Sequence, residues 1–206
     1  MELNTYPLVC TRGVVLYPNQ EIVIDVGRGA SVHAVENAQD NYDKKICLFS
    51  QKELEQENPG KEDIYPVGTL CEVRHIRRFD NFLRVKFRGI KRVKLNNWIN
   101  GSLSDLAEVE ILESEKQDAV EEEALIRMIA DELDRMQGQD RFVTKEIVME
   151  ISKGMGGEFL SDKAVQGLPL DIERKQQYLE TLGVNDRLMM LLQDMAKEKK
   201  MSEVEK

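Results

Sequence analysis

Few residues in this 206-residue chain have types and spacing that could do chemistry. The densest set is cationic. From Arg74 to Lys94 there are nine Lys and Arg and one acidic residue, Asp80, although the whole chain carries a formal net charge of -9. Such a run can neutralise phosphates or meet an acidic partner. Groups for covalent or metal chemistry are sparse by comparison. His33 and His75 are the only histidines, too few for a His-rich metal site, and a solvated imidazole accounts for each. Cys10, Cys47 and Cys71 form no C-x-x-C and read as reduced strand residues. Gly60-Lys61 is followed by Glu62, and Glu55 stands where a phosphate-binding loop needs its first glycine. GMGG at 154–157 lacks the third glycine of a dinucleotide fingerprint and follows a helical stretch, so it reads as a helix stop. Neither G-x-S-x-G nor H-E-x-x-H occurs, and the consecutive carboxylates Glu121, Glu122 and Glu123 point around a helix instead of converging. No nucleophile, base and orienting group can be assembled, which argues against a self-contained hydrolase.

The elements that must position the basic run are strands. YPLVC, EIVIDV, KICLF, TLCEVRHI, FLRVKF, RVKL and LAEVEIL are short apolar bursts broken by RG, NPG, DN and RG, and they predict six or seven strands of a small barrel or sandwich. In LRVKFRGIKRVKL, Arg84, Lys86 and Arg88 alternate with Leu83, Val85 and Phe87, giving one cationic and one apolar face. Gly89 is expected to turn the chain, after which Val93 and Leu95 resume the apolar face with Arg92 and Lys94 opposite. Three readings of this hairpin stay open. Its cations can be relieved by neighbouring carboxylates such as Glu108 and Glu110, can meet an acidic protein or another subunit, or can bind nucleic acid. Aromatic interleaving is thin: Phe79 and Phe82 flank the Asp80-Asn81 turn, and Phe87 points inward.

Composition and pattern both change near residue 116. Up to Lys116 there are 16 basic and 18 acidic residues, a net of -2; from Gln117 onward there are 13 and 20, a net of -7. The first part holds one helix, with Ser31 as its expected cap and Val32, Val35 and Ala38 on one face. The second part is helical. Leu125, Met128, Ile129, Leu133 and Met136 form one stripe behind an acidic first turn. Thr144 is expected to cap a short helix carrying Ile147, Val148 and Ile151, with Gly154, Gly156 and Gly157 ending it. A third helix should span 158–166, and a fourth should run from an Asp171 cap to Leu182, with Gly183 in the left-handed position. Asn185 should cap the last helix, with Leu188, Leu191, Leu192 and Met195 as its stripe. The chain is 41% hydrophobic and 33% charged with a mean hydropathy of -0.45. No window approaches the ~18 apolar residues of a membrane helix, and no signal peptide is apparent, so a cytoplasmic protein without membrane contact is expected.

PLVCTRGVVLYPNQEIVIDVGR resembles the opening of the N-terminal domain of the Lon family of ATP-dependent proteases. The pattern there is a Pro-Leu strand, an Arg-Gly turn, an apolar pair, an aromatic-Pro and a strand ending in Gly-Arg. Here these are Pro7, Leu8, Arg12, Gly13, Val14, Val15, Tyr17, Pro18, Gly27 and Arg28. SVHAVENA, ICLFSQK, YPVGTLCEV, LRVKFRGIKRVKL and IERKQQYLETLGVNDRLMMLL continue the series in order. The resemblance implies an α+β fold: a β-rich, PUA-like pseudo-barrel lobe over 1–116 followed by a helical bundle lobe over 117–206, whose last helix leads toward an ATPase module. It also implies a domain without catalytic residues or a cofactor of its own, ATP and magnesium being used by the ATPase. The Ser-Lys peptidase site would likewise lie outside this sequence.

Two functional classes follow. In the first, the chain holds unfolded or tagged proteins and supports a hexameric homo-oligomer. Unfolded substrates share apolar side chains and backbone rather than a sequence, so adaptable apolar surface is needed. The candidates are Tyr17, Pro18, Phe79, Phe82, Met189 and Met190, with Arg84, Lys86, Arg88, Arg92 and Lys94 as a basic face. In the second, the chain is a stand-alone PUA-like module that binds nucleic acid or a regulator.

Overall fold

The computed structural model describes residues 2–27, 29–136 and 145–206. Arg28 and the expected cap Thr144 lie outside the described residues. The chain is α+β, with six strands and six helices among the described residues. The strands are β1 (Leu3–Thr11), β2 (Glu21–Gly27), β3 (Lys45–Ser50), β4 (Val67–Arg78), β5 (Phe82–Ile99) and β6 (Leu106–Leu112). The helices are α1 (Ala30–Asn41), α2 (Ala119–Arg135), α3 (Lys145–Ser152), α4 (Gly157–Gln166), α5 (Ile172–Glu180) and α6 (Val184–Val204). The chain forms two compact units, one of Met1–Glu113 with Asp171–Leu179 and one of Ser114–Leu170 with Glu180–Lys206. The division expected at residue 116 therefore differs at 171–179, which groups with the strands.

In the first unit the sheet order is β2-β5-β4-β3-β1-β6, with β5 also paired to β6. That extra pairing closes β5, β4, β3, β1 and β6 into a ring and leaves β2 outside it. All pairs are antiparallel except β1 with β3. Register shifts in the β4–β5 and β5–β6 pairs supply the local bends that closure requires. Alternation splits the apolar residues into two cores. Leu8, Cys47, Phe49, Leu70, Val93, Leu95, Ala107 and Val109 come from all five ring strands and fill its inside. Val9, Ile46, Leu48, Cys71, Val73, Leu83, Val85 and Phe87 face the other way and meet Val26 of β2 and Ala34, Val35 and Ala38 of α1.

The hairpin expected at Gly89 does not exist: FLRVKF and RVKL are one 18-residue strand. Gly89 is needed for a different reason. A Cβ there would sit 2.3 Å from the Tyr17 carbonyl oxygen, because Asn19 N–H donates to Gly89 O at 2.9 Å and Gly89 N–H donates to Gln20 O at 2.9 Å. The β1–β2 connection lies against β5 at this point, and no side chain fits between. The real turn is at Asp80-Asn81, between β4 and β5.

The α5 segment is held to the strands by polar bonds. Asp171 caps it through Oδ1, which accepts from Arg174 N–H at 2.8 Å, but the helix stops at Glu180, short of Leu182. Tyr17 Oη donates to Lys175 O at 2.7 Å, and Gln176 Nε2 donates to Val67 O at 2.8 Å. Arg92 Nε donates to Leu179 O at 2.8 Å and its Nη2 to Tyr178 O at 3.2 Å. These are the last-turn carbonyls that a helix leaves without partners, at the negative end of its dipole, so a guanidinium suits them.

The second unit is helical. Asp118 caps α2, accepting from Glu121 N–H at 2.8 Å. Leu125, Ile129 and Leu133 are buried in α2 as expected, and Met136 just after it, but Met128 is exposed. In α6, Leu188, Leu191 and Met195 are buried. Its entry differs from expectation: Gly183 precedes it with an extended φ of -68, and Asn185 lies inside the helix, buried, donating to Asp118 O at 2.9 Å. Likewise α1 is entered through Gly29, whose φ is 105, and Ser31 lies within the helix. Arg187 is fully buried, donating to Thr181 O at 2.9 Å and to the hydroxyls of Ser114 and Ser161. No described helix is long and apolar enough to cross a membrane.

Candidate functional site

The cationic face comes from alternation on β5, and its neutralisation comes from β2. In the β2–β5 register Glu21 lies opposite Arg88 and Asp25 opposite Arg84. Arg84 grips Asp25 with both arms, Nε to Oδ1 at 2.8 Å and Nη2 to Oδ2 at 3.2 Å. Glu21 takes Arg88 at 3.4 Å and Lys86 at 3.9 Å. The hydrogen bond from Arg84 holds the Asp25 carboxyl below the usual carboxylate range. The partner carboxylates are thus Glu21 and Asp25, where Glu108 and Glu110 were expected. Glu110 does face Lys94 in the β5–β6 register, and Glu108 accepts from Asn96 Nδ2 at 3.3 Å. Arg92 leaves the basic face altogether: it is 2% exposed and bound to α5.

The apolar candidates separate as well. Tyr17 is fully buried, with its hydroxyl spent on Lys175, and Pro18 is buried beside it, so neither offers surface. Both pack where the β1–β2 connection meets Gly89, which is why an aromatic-Pro pair stands there. Phe79 is exposed and stacks on Phe82 with ring centroids 4.6 Å apart, and the Arg77 and Arg84 guanidiniums lie over the Phe79 ring at 5.1 and 5.3 Å. Met189 is exposed, whereas half-buried Met190 takes a 3.6 Å contact from Thr181 Oγ1. The phenylalanines belong to the first unit and the methionines to the second, so the candidates form no single patch within either unit.

One concavity among the described residues was missed by sequence reasoning. It lies in the first unit, with a volume of about 670 Å³, and its walls include Leu8, Val9, Cys10 and Thr11 of β1 and Ile24, Asp25, Val26 and Gly27 of β2. Ala30, Ser31, Gln51, Asn58, Pro59, Trp98 and Asp105 complete most of the rest. Trp98, the only tryptophan, and the partly exposed Cys10 were the available signals, but the cavity depends on two strands distant in sequence. Burial, aided by the charges of Asp105 and Asp63, pushes the Cys10 thiol up to about 12, so it is protonated and poorly nucleophilic at neutral pH. Cys47 and Cys71, both buried and unpaired, are pushed up further. Gln51 Nε2 is committed to the carbonyls of Glu53 and Gln56, and the Thr11 hydroxyl to Val14 O. Both histidines are exposed. Among the described residues no group of three or more His, Cys, Asp and Glu could hold a metal ion.

Comparison with known proteins gives a consistent result. The family model described as "ATP-dependent protease La (LON) substrate-binding domain" matches residues 5–197. Lon protease of Syntrophomonas wolfei is 33% identical over 209 residues, which cover 100% of this chain and 26% of that protein. Lon protease of Buchnera aphidicola from Acyrthosiphon pisum is 31% identical over 206 residues, 100% of this chain and 26% of that protein. For Lon protease of Escherichia coli K12 the figures are 30% over 201 residues, 97% and 26%. This chain therefore spans about a quarter of the length of these relatives. Among solved structures, the N-terminal domain of a Mycobacterium avium complex Lon protease superposes with a TM-score of 0.73 at 17% identity, covering 94% of this chain and 98% of that one. A Lon N-terminal domain protein from Xanthomonas campestris gives 0.63 at 16% identity, with 92% and 97% covered. At these identities the structures speak for the fold alone.

Proposed function

The chain belongs to the LON substrate-binding domain family, and from that premise we propose that it is the non-catalytic N-terminal part of a cytoplasmic Lon-type ATP-dependent serine protease. In this reading it holds unfolded or damaged proteins and supports hexamer assembly. ATP and magnesium serve an ATPase, and a Ser-Lys pair serves a peptidase, both outside this chain. The ring of five strands with β2 beside it is read as a PUA-like pseudo-barrel, followed by a helical bundle. The observation that carries the reading is the cavity of about 670 Å³, walled by strand residues of β1 and β2 and by Trp98, in which the Cys10 thiol is not activated. A concavity of this size, lined by apolar and polar groups in similar measure, suits the binding of a short segment.

The test compares a reduced, carboxymethylated and therefore permanently unfolded protein with its folded form. The chain should bind the unfolded form at least about tenfold more tightly, the effect of ~1.4 kcal/mol. Equal affinities would remove the reading. The alternative, a stand-alone nucleic-acid or regulatory module, predicts steep salt dependence and loss of binding on charge reversal at Arg84, Lys86 and Arg88. It is not favoured, because those three cations are already paired with Asp25 and Glu21.

A further inference from the structure

The way two strands wall the cavity is informative. Successive side chains of a strand point to opposite faces, so a concavity against a face is lined by alternate residues. This one is lined by four consecutive residues of β1, Leu8–Thr11, and four of β2, Ile24–Gly27, and such runs mark strand edges. The pairings agree. β2 bonds only to β5, which leaves its other edge open. β1 bonds to β6 through Leu3–Pro7 and to β3 through Leu8–Thr11. The last β6 partner is Leu106, opposite Pro7, and Asp105 just before it lines the cavity. The cavity thus opens where β6 stops covering β1.

Edge strands are commonly guarded by Lys, Pro or a bulge. EIVIDVG contains no Lys or Pro, its register with β5 is unbroken, and Val23 on it is 56% exposed. The one charge that β2 gives the cavity, Asp25, is held by Arg84. Arg12 and Asp105 also line the cavity, one charge of each sign, so an occupant is offered main-chain hydrogen bonds and room for apolar side chains near Ile24 and Trp98 without a net bias toward either charge.

Resting on the substrate-holding reading, we propose that this cavity binds an extended apolar segment of an unfolded polypeptide by strand addition to the open edges of β1 and β2. Four residues of edge run about 13 Å, so the segment engaged is four to five residues long. Its backbone supplies what every unfolded chain has in common.

The test uses the whole chain and a fluorescent peptide of alternating valine and threonine with lysine ends. A second peptide carries N-methyl groups on two alternate amides, which removes donors without removing side chains. The unmodified peptide should bind and slow amide exchange within Leu8–Thr11 and Ile24–Gly27, and methylation should weaken it about tenfold or more through two lost hydrogen bonds. Equal binding of both peptides, or protection confined to other segments, would overturn strand addition while leaving substrate holding intact. So would capture of the carboxymethylated protein without any binding of the unmodified peptide. If neither peptide nor unfolded protein binds, the substrate-holding reading itself fails. Protection of the same segments without peptide, rising with chain concentration as sedimentation shows a dimer, would assign the edges to a second copy and overturn the proposal.

Discussion

Arg84 and Arg92 stand on the same strand, eight residues apart, in a run where sequence gives both the same cationic character. One lies in the open, half-exposed, gripping Asp25 of the neighbouring strand. The other is buried and ties β5 to the carbonyls of Tyr178 and Leu179. The difference lies in what covers each end of β5. The Phe82–Arg88 half meets β2, whose Glu21 and Asp25 lie opposite Arg88 and Arg84, while the Arg92 side chain meets the end of α5. An exposed pair exchanges water for a carboxylate at little net gain. A buried guanidinium is costly unless its donors are used, and removing either side of such a contact leaves unsatisfied groups. Basicity in a sequence is therefore no guide to surface until the packing is known.

The comparison can be broken most severely from the α5 side. Replacing Asp171–Leu179 by a flexible linker of equal length takes the Tyr178 and Leu179 carbonyls from buried Arg92 and should destabilise the first unit by about 4 kcal/mol, read by denaturant unfolding followed through Trp98 fluorescence. An unchanged midpoint would show that α5 is only draped on the strands. Next, Arg92→Met keeps volume and removes the charge, leaving two helix-end carbonyls unpaired; a loss of about 2–3 kcal/mol is expected in the same measurement. Tyr17→Phe removes only the bond to Lys175 O and should cost about 1 kcal/mol. The smallest effect is expected at the exposed end. Arg84→Met should barely move the midpoint at neutral pH, yet raise the Asp25 carboxyl toward its ordinary value in an NMR titration. The sign follows from the depressed value. Whatever Asp25 contributes is present above the ordinary carboxylate range and lost as pH falls through its folded pKa, so Asp25→Asn should flatten the acid limb of stability below about pH 4. A steep limb unchanged by Asp25→Asn would place the acid sensitivity elsewhere.

The strands were legible because their alternation is local. EIVIDV, KICLF and LAEVEIL each emerged as β2, β3 and β6 almost as read. Gly89 misled because a glycine inside a strand and a glycine in a turn look alike; only the approach of the Tyr17 backbone distinguishes them. Gly183 and Asn185 misled for a related reason. The Asn185 side chain bonds Asp118 O, 67 residues away, so a residue suited to a helix start was recruited for packing. Tyr17 and Pro18 carried the family resemblance but not the surface, being placed by the same close approach. The cavity was illegible because it is a gap between strand edges, and the sequence of a strand says nothing about which of its edges will be left unpaired.

The grouping of Asp171–Leu179 with the strands also orders events during synthesis. A ribosome makes the six strands first, then the helices α2 to α4, and only afterwards the segment that supplies acceptors for Arg92 and Tyr17. Domains tend to fold as units while the chain emerges. The carbonyls of Lys175, Tyr178 and Leu179 therefore reach Tyr17 and Arg92 only once residue 179 has been made, so the contacts between α5 and the strands are the last of this unit to form.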